Sequence, residues 1–414
     1  MSPLREAFLK MHWMPYPAVP ALSVIYGRMQ SLTQNSDGQW DIQYLFDGKS
    51  LSLLIPVEPA VLSYRASQIL MAGDLFAMGP DYNITLLAPM QKEFQWAQSW
   101  NKDHWQRWSY FLQSVREFFY SKNFIEVSTP TLVDNPGSEP SLDPLQTQLY
   151  LQNSIGVQCK YLPTSPELHL KKVLAMGATQ IFEIAKVFRN RENTSTHQPE
   201  FWMLEWYRAF STYDAIKTDV QDLFLYMLDK KLIQNRINFV YVSVADLFEK
   251  FCGVRIAADW NYENYLQLAQ KLQVQIPQAA SIDDVFCILF AEKIEPRLDP
   301  QQVTFVDLYP PFQAALARLN QDGWARRFEV YWQGFELANA FDELNDPAIQ
   351  RQRFVEDMQK KQQLGKDILP ADEDFFNALD RGLPPSGGIA LGLERLFMAI
   401  QGIKDIRQTK IFPF

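Results

Sequence analysis

The sequence predicts an α+β protein: an antiparallel sheet flanked by helices, preceded by a small β-barrel. Three observations carry that prediction. Short strand patterns crowd the first 95 residues; apolar residues then fall at helical spacing behind Asp103; and further on, two apolar segments flank a charged loop as paired antiparallel strands do.

Composition sets the limits. A chain of 414 residues is expected to hold two to three domains. Hydrophobic residues at 47% and charged residues at 21% allow a large core and exclude a disordered chain. The 25 prolines and 17 glycines are dispersed, so collagen-like and low-complexity classes do not apply. Cys159, Cys252 and Cys287 lie far apart with no paired spacing, which argues against a disulfide framework or a zinc site. The first residues, MSPLREAFLKMHWMPYPAV, lack the long apolar core of a signal peptide, and no apolar run is long enough to span a bilayer. A cytoplasmic location with no membrane partner is the expectation. The net charge of −9 gives no general basic footprint for nucleic acid, although a local patch would suffice for RNA.

The elements follow in order. Val24-Ile25-Tyr26 leads into Gly27-Arg28-Met29, and Trp40 to Leu45 alternates polar with apolar. Lys49 to Leu53 follows an Asp47-Gly48 turn signal, and Leu75 to Gly79 and Asn83 to Leu87 supply two more strands. Five short strands fit an OB-like barrel over residues 1–95. Its six Lys/Arg against eight Asp/Glu give no basic bias, so nucleic-acid binding is not its default role. Trp105, Trp108, Phe111, Leu112, Val115, Phe118 and Phe119 then describe an amphipathic helix packed on a core or a partner subunit, with Asp103 as N-cap candidate. Phe124 to Val127 reads as a strand running into Thr129-Pro130. Residues 212–300 are largely helical in pattern, an insertion within a domain of residues 96–414. Residues 347–366 read as a polar, solvated helix, and no solenoid repeat is present.

Three clusters carry chemistry. In the first, Phe182 to Asn190 and Pro199 to Tyr207 flank a polar loop. Arg189 at the end of its first strand offers a planar permanent charge to a phosphate, and Phe201 a stacking face for a base; the alternative is a hairpin with a solvated tip. In the second, Phe328 to Leu344, Glu336 interrupts an apolar strand and must be paired, hydrogen-bonded or bound to a cation. Glu336 and Glu343 are seven apart and would face opposite sides of an unbroken strand, so the chain must bend if they share a site. Two carboxylates near phosphates suit Mg²⁺; a structural ion pair with a solvated Glu343 is the other reading. In the third, Pro385 to Met398, small residues lead into an apolar helix. Gly392 would admit a ligand close to the backbone, and Arg395 sits near a helix start, where anions are favoured. Neither a P-loop nor a Rossmann fingerprint is present.

Taken together, these segments resemble the three signature motifs of class II aminoacyl-tRNA synthetases, over about residues 100–414. Phe124 to Pro130 resembles the first motif, Phe188-Arg189 through Glu205 the second, and Gly388 to Arg395 the third. Within that class the chain is similar to lysyl-tRNA synthetase and to its paralogue, the ligase that attaches lysine or β-lysine to elongation factor P. Thr164 to Lys172, Pro199 to Arg208 and Arg327 to Glu343 carry the likeness, with Pro199 to Arg208 and Arg327 to Asn339 leaning to the paralogue. So does Ala390, where the synthetases typically have glycine; one methyl is worth roughly 1–3 kcal/mol of discrimination.

The resemblance implies a class II fold and an ATP-dependent ligase that forms an aminoacyl-adenylate. Arg189 would hold the α-phosphate and Arg395 the γ-phosphate, as the catalytic pair. Phe201 would stack on adenine, with Asn190, Glu192, His197, Gln198, Glu336, Leu337 and Gly392 around the ATP. Ser165, Pro166, Glu167, Tyr207, Asn339, Glu343 and Ala390 would line the amino-acid pocket, where Glu167, Tyr207 and Glu343 read the substrate's ammonium groups. Glu336, with Glu343 or Glu205, would hold Mg²⁺. The implied substrate is lysine or β-lysine and the acceptor elongation factor P, with tRNA the alternative. A two-fold homodimer is implied through Pro130 and the aromatic helix before it. Two departures stand out. The family usually reads Arg-x-Glu in the second motif, whereas here Arg191 takes the place of that Glu and Glu192 follows. The barrel-like region, with its Gly73-Asp74-Leu75 stretch, resembles the synthetase OB-fold, which the elongation-factor ligases generally lack. Three functions therefore stand open: the elongation-factor ligase, a divergent lysyl-tRNA synthetase, and an inactive synthetase-like binding protein.

Overall fold

The computed structural model describes residues 25–34, 36–37, 39–46, 49–55, 75–78, 84–88, 102–137, 139–152 and 156–412. The chain divides into two compact units, Met1–Tyr110 and Phe111–Phe414.

The first unit contains β1 (Ile25–Gln34), β2 (Trp40–Phe46), β3 (Lys49–Ile55), β4 (Leu75–Met78) and β5 (Ile84–Ala88). They pair antiparallel in the order β3-β2-β1-β4-β5. Met29, Ile42, Tyr44 and Met78 are buried. Among the described residues no pairing joins β3 to β5, so they show a sheet with two edges. The N-terminal segment through Val24, the Asp47-Gly48 turn, Gly73-Asp74, Gly79, Asn83 and the boundary at residue 95 lie outside the described residues.

Helix α1 (Lys102–Ser121) carries the chain across the division. Asp103 stands inside its first turn rather than capping it, still suited to the positive end of the helix dipole. Its Phe111, Val115, Phe118 and Phe119 are buried, and Phe119 stacks on Phe182 with ring centroids 4.7 Å apart. Next come β6 (Ile125–Glu126), β7 (Leu145–Tyr150), β8 (Val157–Leu162), α2 (Glu167–Ala175), β9 (Gln180–Phe188), β10 (Glu200–Ala209) and α3 (Tyr213–Asp229). They are followed by β11 (Asn238–Ser243), α4 (Val244–Cys252), α5 (Tyr262–Lys271), α6 (Ile282–Lys293), β12 (Gln302–Tyr309), β13 (Ala325–Trp332) and β14 (Phe335–Asp342). The chain closes with α7 (Pro347–Gln363), α8 (Glu373–Gly382), β15 (Ser386–Gly392) and α9 (Leu393–Gln401).

Eight of these strands form one sheet in the order β11-β12-β13-β14-β15-β10-β9-β6. The expectation of an antiparallel sheet needs correction, because the sheet is mixed. Its interior is antiparallel, but β11 runs parallel to β12 and β6 parallel to β9, one pair at each edge. Parallel pairing needs a long crossover, and the sequence supplies two: α4 to α6 join β11 to β12, and a segment containing α2 joins β6 to β9.

The stretch of residues 212–300 is helical apart from β11. Three capping boxes show why: Ser243, Asn261 and Ser281 start α4, α5 and α6, each side chain accepting from the backbone N–H three residues on while that residue's side chain accepts from the cap's own N–H. Phe248, Tyr265 and Phe286 from these helices bury against Tyr309 and Tyr331 of the sheet. Helix α7 corrects the expectation of a wholly solvated face, since its Gln350 and Lys361 are buried. Towards the β9 end of the same face, α2 and α8 pack through Leu170, Leu174, Phe375, Phe376 and Leu379 onto Ile181 and Tyr207. No helix among the described residues is long and apolar enough to cross a membrane.

Candidate active site

Strand register builds the site. Residues opposite one another in a sheet share a face, as do residues two apart on one strand. Glu205, Ala390, Asn339 and Glu329 stand opposite one another across β10, β15, β14 and β13. Two residues along, Tyr207, Gly388, Phe341 and Arg327 form a parallel row. These rows floor a cleft whose walls include Glu139, Ser165, Glu167, Arg189, His197 and Arg395.

Glu336 reaches the same face by a bulge. Val330 pairs with Ala338, but Tyr331 pairs with Glu336, so β14 carries one extra residue there. That extra residue sets Glu336 on the side of Tyr331 and Glu329, which strict alternation from Asn339 would have forbidden. It is the bend that the seven-residue spacing of Glu336 and Glu343 requires.

Arg189, Arg395 and Glu336, remote in sequence, all line this one cleft. Arg395 donates Nη1 to the Glu336 carbonyl (2.9 Å), Nε to the Thr196 carbonyl (3.3 Å) and Nη2 to His197 Nε2. Burial, then Arg395 and Arg189, lower the His197 pKa to about 4, so the ring is neutral and accepts. Arg189 donates to the Thr164 carbonyl (3.4 Å), and its guanidinium lies 5.2 Å from the centre of the Phe201 ring. Leu337, Gly392, Phe201 and Gln198 also line the cleft. Gln198 is buried and ties its loop together by donating to Asn193 (2.9 Å).

The departure in the second motif has a local geometry. Arg191 adopts φ +65° and turns outward, 80% exposed and 3.5 Å from Asp143. The next residue, Glu192, lines the cleft instead. Asn190 does not line it; its side chain accepts from the Arg191 N–H (3.0 Å), and its N–H donates to the Asp143 carbonyl (2.7 Å).

The other end of the cleft is acidic. Ser165, Glu167, Asn339 and Ala390 line it. Pro166 is set back as the N-cap of α2, and Glu205, Tyr207 and Glu343 lie buried just behind. Glu205 accepts from Ser165 Oγ (2.5 Å) and Tyr207 Oη (3.1 Å). Burial, with Glu167 close by, pushes its pKa up to about 8. Lys171, fully buried, sits 2.6 Å from both Glu167 and Glu343. Burial works against its charge, yet the two carboxylates hold its pKa above the usual lysine value.

The expected metal set is split by this arrangement. Glu343 is engaged by Lys171 and Glu205 by Ser165 and Tyr207, away from Glu336. Glu336 has Glu329 as its nearest carboxylate influence; burial first and Glu329 next push its pKa up to about 7, against Arg395 and Arg327. Among the described residues no group of three or more His, Cys, Asp or Glu is placed to hold a metal ion. Glu329 is engaged in turn by Arg327, Tyr309 and Tyr331, so the desolvated Glu336 is the carboxylate that fits Mg²⁺, which takes one or two carboxylates and completes its shell with phosphates and water.

Sequence patterns gave Glu329, Arg327 and Lys171 no role. The available signal was charge inside apolar strands and helix: Arg327 is largely enclosed, donating to Asn339 Oδ1 (3.0 Å) and the Gln313 carbonyl (2.8 Å) and pairing with Glu329 (2.5 Å).

Comparison with known proteins gives concordant matches. A family model described as tRNA synthetases class II (D, K and N) matches residues 96–414. The Elongation factor P--(R)-beta-lysine ligase of Vibrio atlanticus is 36% identical over 309 residues, 73% of this chain and 93% of that protein. That of Photorhabdus laumondii is 33% identical over 308 residues, 73% of this chain and 92% of that protein. The Lysine--tRNA ligase of Thermoanaerobacter pseudethanolicus is 32% identical over 317 residues, 73% of this chain but 62% of that protein.

Proposed function

Because this chain belongs to the class II tRNA synthetases of the D, K and N group, and is an ATP-dependent aminoacyl ligase, we propose that it adenylates lysine or β-lysine and transfers it to a lysine of elongation factor P. The observation that carries the proposal is one cleft with two ends: Arg189 and Arg395 at one, and at the other Glu167, tied through Lys171 to the buried Glu343. The first end suits a triphosphate, the second an amino acid with two ammonium groups.

The chemistry needs no protein nucleophile. The substrate carboxylate attacks the α-phosphorus and pyrophosphate leaves; the protein's part is positioning and charge neutralisation. Arg189 would take the α-phosphate and Arg395, already fixed by three contacts, the γ-phosphate. Phe201 would face the adenine, and Glu192 its edge. Glu336 would hold Mg²⁺, with phosphates and water completing its shell, and the ion would supply charge neutralisation for the pyrophosphate. The acceptor amine then displaces AMP.

Ala390 and the near-complete coverage of the elongation-factor ligases support that acceptor over tRNA. The five-stranded sheet ahead of the catalytic unit favours the second reading, a divergent lysyl-tRNA synthetase, if it closes as an OB-like barrel. A two-fold dimer through Pro130 and the aromatic helix α1 before it accompanies both readings.

ATP–pyrophosphate exchange with lysine and with β-lysine tests the first step, and transfer of labelled amino acid to elongation factor P or to tRNA tests the second. Exchange followed by labelling of the factor is expected. Labelling of tRNA alone would overturn the acceptor, and no exchange with either amino acid would leave an inactive binding protein. Arg395→Ala should cut exchange by roughly 10²–10³-fold or more with the fold intact.

A further inference from the structure

A short helical turn beyond α9, Ile406–Thr409, lies against the cleft beside Arg395. Asp405 starts it by accepting from the Arg407 N–H (3.0 Å), and Thr409 Oγ1 closes it by donating to the Ile406 carbonyl (2.7 Å). Ile406 and Thr409 are buried, and Ile406 lines the cleft. No motif marks this segment, yet two contacts fasten it to the site. The Ile406 N–H donates to the Ser195 carbonyl (2.8 Å) in the loop between β9 and β10, next to the Thr196 carbonyl that Arg395 holds. Lys410, the residue after the turn, pairs with Glu394, a buried carboxylate in the first turn of α9.

Glu394 supplies a partner that the sheet does not. β15 ends at Gly392, opposite Met203, where the chain turns into α9, so it stops one residue short of Trp202 on β10. A backbone N–H needs an acceptor. That of Trp202 donates to the two carboxylate oxygens of Glu394, at 2.9 and 3.1 Å. Burial works against the charge of Glu394, and Lys410 and the Trp202 N–H work for it. Taking Lys410 away would leave a buried carboxylate without its cation. The carboxylate would then take up a proton or turn aside, loosening its hold on Trp202.

The two fastenings, at Ser195 and Trp202, bracket the stretch that brings Thr196, His197, Gln198 and Phe201 to the cleft. Phe201 is the residue next to Trp202, so a displaced Trp202 N–H displaces its ring. We propose that Lys410 is a positioning residue for the use of ATP: through Glu394 and the Trp202 N–H it keeps the Phe201 ring where a nucleotide base can stack, which makes the turn beyond α9 a part of the ATP site. The proposal rests on the reading above that Phe201 faces the adenine.

The test is titration calorimetry of the full chain with three ligands: ATP; adenosine, which has the base and no phosphate; and inorganic tripolyphosphate, which has the phosphates and no base. Lys410→Met should weaken ATP and adenosine by at least about tenfold, the size of one charged hydrogen bond, and leave tripolyphosphate within about twofold. Lys410→Arg, which keeps the charge, should fall between. Glu394→Gln added to Lys410→Met removes the unpaired charge and keeps an oxygen for the Trp202 N–H, so it should recover most of the adenosine affinity. An equal loss for tripolyphosphate would reveal a general loosening of the fold and overturn the assignment. So would unchanged adenosine affinity in Lys410→Met, or no recovery in the double variant. Phe201→Ala separates this proposal from the reading beneath it. If adenosine affinity survives that substitution, the stacking role of Phe201 falls and takes the role of Lys410 with it; if Phe201→Ala loses adenosine and Lys410→Met does not, only Lys410 is struck.

Discussion

Lys171 Nζ lies 2.6 Å from a Glu343 carboxylate oxygen, and both side chains are only 1% exposed. The same ammonium lies 2.6 Å from Glu167, which faces the cleft, so one buried cation links the substrate end to the carboxylate behind it. Lys171→Met keeps the length and removes the charge. Breaking a buried pair from one side costs about 3–5 kcal/mol, because the other charge is left without a partner. Denaturant unfolding should show a loss of that order. A loss under about 1 kcal/mol would mean that Glu343 is already neutral in the folded protein.

Gly388 and Gly392 stand four residues apart on β15 and should respond differently to alanine. A Cβ at Gly388 would collide with Glu343 Oε1 and the Tyr207 ring, whereas one at Gly392 would meet only Arg395 side-chain carbons at 3.8 Å or more. Overpacking of the first kind costs about 1–3 kcal/mol. Gly388→Ala should lower Tm and weaken amino-acid binding. Gly392→Ala should fold normally and weaken ATP alone, by narrowing the approach of the ligand to the backbone. Equal stability of the two variants would contradict the packing described.

Glu205 sets a pH dependence of the ligand-free protein. Its pKa is about 8 when folded against the ordinary 4.5, because burial and Glu167 disfavour its charge. The folded state therefore keeps a proton that the unfolded chain releases. That contribution is fully present below about pH 4.5 and is lost as pH rises through about 8. Glu336, pushed up to about 7, acts in the same direction. Tm should fall between about pH 5 and 8 and level off above, and Glu205→Gln should flatten part of that fall. A melting profile identical in both proteins would remove Glu205 as the cause.

Arg191 and Glu192 can be told apart by substitution. Arg191 faces solvent and Glu192 faces the cleft. Arg191→Ala should leave the KM of ATP within about twofold, as surface changes usually do. Glu192→Ala should raise it several-fold by removing an acceptor near the adenine. The reverse pattern, measured by exchange at saturating amino acid, would return the nucleotide contact to Arg191.

Much of this was legible beforehand, for local reasons. Helix α1 announced itself because Phe111, Val115, Phe118 and Phe119 recur on one face, and all four are buried. β9 and β10 could be paired from their apolar runs and the polar loop between them. Of the N-terminal strands, β2 was visible by the alternation of Trp40 to Leu45. Two misreadings also have local causes. A polar helix reads as solvated, although α7 turns Gln350 and Lys361 inward. Asp103 reads as a cap because periodicity does not reveal where the first helical turn begins.

By itself the sequence determined which side chains carry charge into apolar surroundings: Arg189, Glu336, Glu343, Arg395. It also determined the short-range patterns that make each a strand end or a helix start. The tertiary structure alone decided which of them meet. The extra residue opposite Tyr331 turns Glu336 towards Glu329, and Lys171, a full helix away in sequence from any carboxylate but Glu167, reaches Glu343 only because α2 lies against the sheet. Register and bulges are settled by pairing between strands distant in the chain, and an ion pair by the enclosed space two elements share, so neither leaves a periodic trace in the residues themselves.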